Sequence, residues 1–287
     1  MREEVVFIHL TDLHIGHPTI SDDHLYTDTA GTFEVMADQI GTLEPRPSFI
    51  VLSGDLTNKG DAESFRRLKQ MVARFDVPVL PALGNHDSRP GFYEGYQGST
   101  ADPGAPFFYD TVIDGIHVIV LDSSTPGRIG GTIEPEQFHW LRATLDRHPE
   151  LKKLIVSHHA PALGTKPDIT HWRTIDFEQS QELAEVLRGR DVLAILSGHI
   201  HHDRVSLWHG IPVIVGTGLH AATDILFTEG LRMVRGASFG LCTVRPSGLT
   251  VAFIPQPSDR AELQRISYER LMRADRRPAP ESAVAAE

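Results

Sequence analysis

Val77-Pro78-Val79-Leu80-Pro81-Ala82-Leu83-Gly84-Asn85-His86-Asp87 is an apolar run that ends in an amide, an imidazole and a carboxylate at three consecutive positions. Gly84 tolerates backbone conformations that other residues resist, and an abrupt turn at a strand end is a common way to deliver polar side chains into one cavity. Taken alone, the stretch reads equally well as a hydrophilic turn. What decides its meaning is that the pattern returns elsewhere.

Val5 to Leu10 is a short apolar run followed at once by Asp12 and His14, and Phe49-Ile50-Val51-Leu52 runs into Ser53-Gly54-Asp55. Leu154-Ile155-Val156 ends in Ser157-His158-His159, and Val192 to Leu196 ends in Ser197-Gly198-His199-Ile200-His201-His202. Each run has the length and composition of a buried strand. Between the first three lie segments with apolar residues at helical spacing: Phe33, Met36, Ala37 and Ile40, then Phe65, Leu68, Val72 and Phe75 behind Asp61 as N-cap. The alternation predicts βαβ units and a mainly parallel sheet, whose C-terminal edge is the usual place for a ligand. Asp114-Gly115 predicts a hairpin between Phe107–Ile113 and Ile116–Leu121. Helices are expected from Thr132, with Pro135 in its first turn, and around Gln181 to Leu187. The runs 204–208, 211–215, 239–244 and 249–254 suggest a second, more antiparallel sheet, while Gly216 to Gly236 reads as loop or short helix.

A chain of 287 residues that is 40% hydrophobic can bury a large core. One domain over residues 1–275 is expected, followed by a frayed tail rich in Pro, Ala and Glu over 276–287. Only six mostly apolar residues follow Met1-Arg2-Glu3-Glu4, too few for a secretory or membrane segment, so a cytoplasmic location is expected. The single cysteine, Cys242, excludes an intramolecular disulfide and a cysteine-rich metal site. A net charge of −11 argues against general affinity for nucleic acid or anionic membrane.

Five strand ends therefore present Asp12-x-His14, Asp55, Asn85-His86, His158 and His199-x-His201. Residues two apart on extended backbone share a side, so Asp12 with His14, and His199 with His201, can each clamp one ion. Carboxylate, imidazole and amide without thiolate suit Mn, Fe, Co or Zn, and are too rich in imidazole for Ca or Mg. There are ligands enough for two ions, and a bridged pair is the arrangement used for displacement at phosphorus. Two divalent ions against the two carboxylates Asp12 and Asp55 leave a cationic centre, which remains attractive to a phosphodiester monoanion after a hydroxide is added.

This ordered set resembles the calcineurin-like metallophosphoesterase superfamily, over residues 12 to 201. The resemblance implies a four-layer αββα sandwich of two mixed sheets with two divalent transition-metal ions at the sheets' C-terminal edges. It implies a first ion held by Asp12, His14, Asp55 and His201 and a second by Asp55, Asn85, His158 and His199, with Asp55 as the bridge and His158 favoured over His159. Purple acid phosphatases have a tyrosine ligand where this chain has Asn58, and the Gly-Asp-x-Val-Asp-Arg-Gly run of protein Ser/Thr phosphatases is replaced by Gly54-Asp55-Leu56-Thr57-Asn58-Lys59-Gly60. Thr11-Asp12-Leu13-His14 and Gly84-Asn85-His86-Asp87 look most like the class III cyclic-nucleotide phosphodiesterase and glycerophosphodiesterase group.

The expected enzyme is a metal-dependent phosphoric diester hydrolase that cleaves small phosphodiesters by attack of a metal-bridging hydroxide. His86 is assigned to the leaving group, and Asp87 to orienting His14 or His86. A phosphomonoesterase or nuclease on the same core is the alternative, and a non-catalytic scaffold a remote one. No stable nucleic-acid or membrane partner is expected, whereas a homo-oligomer is. Lesser candidates are His17 and His220 at the pocket border, Tyr93 and Tyr96 as a lid, Arg128 and Arg173 as phosphate contacts, and the pair His171-Trp172.

Overall fold

The computed structural model describes residues 4–99, 102–166 and 172–273. Its first half alternates as expected: β1 (Val5–Leu10), α1 (Thr29–Gly41), β2 (Phe49–Ser53), α2 (Ala62–Val72), β3 (Val79–Ala82) and a short α3 (Arg89–Phe92) that continues into a π-helical turn, Tyr93–Gln97. There follow β4 (Tyr109–Ile113), β5 (Ile116–Val120), α4 (Pro135–Leu145), β6 (Lys152–Val156), α5 (Phe177–Leu187), β7 (Val192–Ser197), β8 (Arg204–Trp208) and β9 (Ile211–Val215). The chain closes with β10 (Ala222–Thr223), β11 (Gly230–Val234), β12 (Ser238–Arg245), β13 (Gly248–Pro255), β14 (Glu262–Ser267) and α6 (Tyr268–Arg273). Asp28 and Asp61 set the starts of α1 and α2 by accepting from the backbone N–H of Gly31 and Ser64, satisfying donors that a helix cannot satisfy itself.

Two large sheets result, ordered β13-β12-β1-β2-β3 and β4-β5-β6-β7-β9-β8. Strand alternation sends side chains to opposite faces, and the apolar clusters follow that rule. Ile8 and Leu10 pack with Phe33, Met36, Phe65 and Leu68 of α1 and α2. Ile119, Ile155 and Ile195 pack with Phe138, Leu141 and Leu183 of α4 and α5. Between the sheets, Phe7, Phe49 and Val51 meet Val118, Leu154 and Leu196. The layers are helix, sheet, sheet, helix, and both sheets are mixed: β1, β2 and β3 run parallel, as do β5, β6, β7 and β9, while β12, β13, β4 and β8 are antiparallel additions.

The last third departs from its expected arrangement. Its runs form no separate antiparallel half; β12 instead pairs with β1, in register Val5↔Val244, and β8 and β9 extend the second sheet. Apolar runs mark strands but carry no label for a partner more than two hundred positions away. Gly216 to Gly236 is neither loop nor helix throughout, because it contains β10 and β11, which join β14 in a small third sheet. That sheet packs Leu231 and Met233 with Ala221 and Leu271. No described helix is long and apolar enough to cross a membrane. His171 and the expected tail lie outside the described residues.

Candidate metal centre

The strand ends converge because β1, β2, β3, β6 and β7 all point their C-terminal ends to one edge, where the chain turns sharply. Asp12, His14, Asp55, His199 and His201 take positive φ angles between 46° and 75°. Such backbone costs roughly 1–2 kcal/mol per non-glycine residue and clusters at functional sites. The turns are braced by bonds between strand ends: Asp12 N–H to Gly54 O at 3.0 Å, His14 N–H to Asp55 O at 2.9 Å and Gly198 N–H to His158 O at 3.0 Å. Gly84 serves a purpose other than the expected one. A Cβ built on it would stand 2.3 Å from both the N and the Oδ1 of Asp55, so glycine is required there by close approach.

The donor atoms of Asp12, His14, Asp55 and His201 all lie within 4.8 Å of one another and are buried. Individual separations are 3.2 Å for His201 Nε2 to Asp12 Oδ1, 3.6 Å for His14 Nε2 to Asp55 Oδ2, 3.4 Å for His158 Nε2 to Asp55 Oδ2, and 3.0 Å for His199 Nδ1 to Asn85 Oδ1. Two donors each about 2.1 Å from one ion lie about 3.0 Å apart at a right angle and about 3.4 Å apart at the tetrahedral angle. The observed spacings fit that pattern. Asp55 stands between two groups of imidazoles, its Oδ2 near His14 and His158 and its Oδ1 accepting from His86 N–H at 2.8 Å.

Hydrogen bonding on the outer side of each ring adds a second test. His158 Nδ1 donates to Ser53 O at 2.9 Å, His201 Nδ1 to Ala221 O at 3.1 Å, and His14 Nδ1 lies 2.8 Å from Asn58 Oδ1. A donated Nδ1–H leaves the lone pair on Nε2, the arrangement found in metal-bound histidine. Among the described residues, Nε2 of His14 and His158 is buried without a hydrogen-bond partner. Asp12 is held by both Oδ atoms to His199 N–H, at 3.1 and 3.0 Å, and by Thr11 Oγ1–H at 2.9 Å.

Electrostatics ask for positive charge at the same point. Burial resists ionisation of Asp55, but His158, His86 and His14 hold its carboxyl well below the usual range. Burial likewise resists protonation of His158, yet Asp55 outweighs it and lifts the imidazole to about 9. His201 is raised against burial by Asp12. A proton and a metal compete for the same Nε2 lone pair, so carboxylates that draw protons onto these rings would draw a divalent cation there too. The buried donors thus fit a divalent metal centre.

Other expected residues are placed differently. Asp87 orients no imidazole; its carboxylate accepts from the N–H groups of Leu56, Thr57 and Gly84 and the hydroxyl of Thr57, at 2.9 to 3.1 Å, locking the β2 and β3 ends together. His159 has both nitrogens engaged, Nε2 on Ile129 O and Nδ1 on Ser123 Oγ, each at 2.9 Å. His17 Nδ1 accepts from the N–H groups of Thr19 and Ile20 and lines a different cavity. Tyr96 forms no lid, since its ring stacks on buried Phe92, and Tyr93 packs edge-on to Phe92. Arg128 pairs with Asp176 at 3.2 Å, away from the cluster. His220 does reach it, with its ring 4.6 Å from that of His14 and its Nε2 accepting from Tyr26 N–H.

The centre opens into a cavity of about 320 Å³. His14, Asp55, Asn85, His86, His199, His201 and His220 form its floor. Leu231, Met233, Ile266 and Leu271 from the small sheet and α6 line the same cavity, together with Trp172, Arg173, Gln264 and Arg270. These wall residues escaped the sequence reading, whose only available signal was the alternation of Leu231 and Met233 about Arg232. A larger cavity of about 490 Å³ lies behind Asn58, between Asp22, Lys59 and Arg66. It contains none of the clustered ligand atoms, so size does not locate the chemistry here.

A profile of calcineurin-like phosphoesterases matches residues 5–203. The chain belongs to the calcineurin-like phosphoesterase family. Family membership makes it a metal-dependent hydrolase of phosphate esters. It is 32% identical over 83% of its length to 77% of a Rhodococcus erythropolis protein named "Probable cyclic nucleotide phosphodiesterase". It is 31% identical over 88% of its length to 80% of a Mycobacterium tuberculosis protein named cAMP/cGMP dual specificity phosphodiesterase. The fold is shared with purple acid phosphatase PPD1 of yellow lupin, at a TM-score of 0.65 and 13% identity, covering all of this chain and 58% of that one.

Proposed function

We propose that this phosphoesterase hydrolyses small phosphodiesters carrying one flat, largely apolar ester group, with cyclic nucleotides as the leading class, at a dinuclear centre of Mn, Fe, Co or Zn. The observation that carries the reading is one cavity of about 320 Å³ lined both by the clustered donors and by the apolar side chains of Leu231, Met233, Ile266 and Leu271. Known small-molecule pockets of that size hold a nucleotide-sized ligand. Asp12, His14, Asp55 and His201 would hold one ion, and Asp55, Asn85, His158 and His199 the other. When bound, two such ions supply an activated water and neutralise charge at phosphorus.

The protein's own contributions follow from its donors. Asp12 and Asp55 are the only carboxylates in the proposed ligand set, and Asn85 adds a neutral oxygen, so the floor stays cationic toward a phosphodiester monoanion. His86 donates Nδ1–H to Asn58 O at 2.9 Å, which leaves Nε2 as the nitrogen that can hold a proton for the leaving alkoxide. Leu231, Met233 and Leu271 exclude water from the ester group. The formal charge of −11 disfavours a duplex substrate.

Turnover of bis(p-nitrophenyl) phosphate, p-nitrophenyl phosphate and cyclic AMP by the Mn- and Zn-reconstituted protein under one set of conditions tests the reading. Both diesters should exceed the monoester in kcat/KM. Faster monoester turnover would overturn the diesterase assignment.

A further inference from the structure

Asn58 is the third residue after Asp55 and is buried beside the cluster. Its main chain is pinned, for Asn58 N–H donates to Ile15 O at 3.2 Å and Thr57 bridges to Ile15. Two imidazoles lean on it. His14 Nδ1 lies 2.8 Å from its side-chain Oδ1, and His86 Nδ1 lies 2.9 Å from its main-chain carbonyl. The two rings meet edge to face with centroids 4.6 Å apart.

Chemistry decides which way the Asn58 amide faces. Its other end is 2.6 Å from Asp22 Oδ2. A carboxylate can only accept, so the NH₂ group points at Asp22 and the carbonyl oxygen must point at His14. Asp22 is itself fixed, by Lys59 Nζ at 3.1 Å and by His24 N–H at 3.0 Å. An amide oxygen can only accept, which requires His14 to carry its proton on Nδ1. The order Lys59, Asp22, Asn58, His14 is therefore a chain in which each link fixes the polarity of the next.

We propose that Asn58 is the positioning residue of the centre, whose side chain, oriented by Asp22, holds His14 in the Nδ1–H tautomer while its carbonyl does the same for His86. Both rings then present Nε2 to the cavity. The proposal rests on the reading of His14 as a metal ligand and extends it to residues 22 and 58, which touch neither ion nor substrate. Partners of this kind typically alter metal affinity 10–100-fold. The two bonds also separate side chain from main chain: removing the amide releases His14 and leaves His86 held.

Selective ¹⁵N labelling of histidine in the full chain, metal-free and at alkaline pH, reads the tautomers directly, and zinc titration of the same samples reads affinity. The wild type should show Nδ1–H at both His14 and His86. Asn58→Leu should shift His14 toward Nε2–H, leave His86 unchanged and weaken zinc binding about 10–100-fold. The double exchange Asn58→Asp with Asp22→Asn reverses the polarity of the 22–58 bond but still offers His14 an acceptor, and should restore the Nδ1–H signal and most of the affinity. His14 found as Nε2–H in the wild type, or Asn58→Leu keeping both tautomer and affinity, would overturn the proposal. Should Asn58→Leu disturb His86 as well, or fail to fold, the exchange decides, with recovery supporting the proposal and no recovery overturning it. His14→Ala with undiminished zinc binding would instead sink the ligand reading, while the tautomer result would still stand or fall by itself.

Discussion

Gly84→Ala offers a severe test of how the cluster is assembled. The added methyl would stand 2.3 Å from Asp55 N and Oδ1, whereas ordinary contact begins at 3.4 Å. Something must therefore move by about 1 Å, roughly five times the ±0.2 Å that metal coordination tolerates. Neither partner has slack. Asp55 O accepts from His14 N–H at 2.9 Å and Asp55 Oδ1 from His86 N–H at 2.8 Å, so a shift of Asp55 spreads to His14 and His86. Overpacking of this kind costs about 1–3 kcal/mol, or about 2–6 °C in Tm for a chain of this size. Bound metal should fall by more than half and diester turnover by at least about a hundredfold. Gly104→Ala is the control, since a Cβ there meets nothing within 4 Å. Elemental analysis after gel filtration, thermal unfolding and bis(p-nitrophenyl) phosphate turnover provide the assays. A Gly84→Ala protein with wild-type metal content and rate would refute the packing argument.

Three other outcomes are expected. Chelation should lower Tm by at least about 5 °C, since each ion present at 100 times its dissociation constant contributes about 2.7 kcal/mol; Mn or Zn should reverse the loss, and an unchanged Tm would speak against any tightly held metal. Burial, partly opposed by Asp12, lowers the His9 imidazole to about 4, so His9 stays neutral in the fold while the unfolded chain takes up a proton below about 6.5. Its contribution of about 3 kcal/mol is complete above about pH 6.5 and is lost as pH falls toward about 4; urea unfolding in chelator should show a shallower acid loss for His9→Leu, and parallel curves would contradict the assignment. Gln264→Ala, on the cavity wall, should raise KM for cyclic AMP about fivefold, the worth of one hydrogen bond, with kcat little changed; an equal rise for bis(p-nitrophenyl) phosphate would argue against a contact to the nucleoside.

Much of the site was legible because its residues are local to strands. Asp12, Asp55, Asn85, His158 and His199 each follow a buried apolar run directly, and parallel strands send their ends to one edge without any further information. The four layers were legible only through the resemblance, since the strand pattern by itself suggested a parallel sheet and a separate antiparallel one. What stayed hidden depends on distant partners. Nothing in residues 238–245 announces pairing with Val5 to Leu10, and Leu231 or Gln264 gains its place on the cavity only when the small sheet folds across the centre. Asp87 was misread because a carboxylate beside histidines suggests an imidazole partner, whereas it accepts from three backbone N–H groups at the β2 and β3 ends. Asn58, noted in the sequence only as a missing tyrosine, became informative once Asp22 fixed its amide.

Anomalous diffraction from crystals of the Mn-reconstituted protein, recorded on both sides of the Mn edge, tests the dinuclear centre most directly. Two peaks are expected about 3.5–4 Å apart, one bounded by Asp12, His14, Asp55 and His201 and the other by Asp55, Asn85, His158 and His199. A single peak, or ions seated on His159 or His220 in place of Asp55, would contradict it.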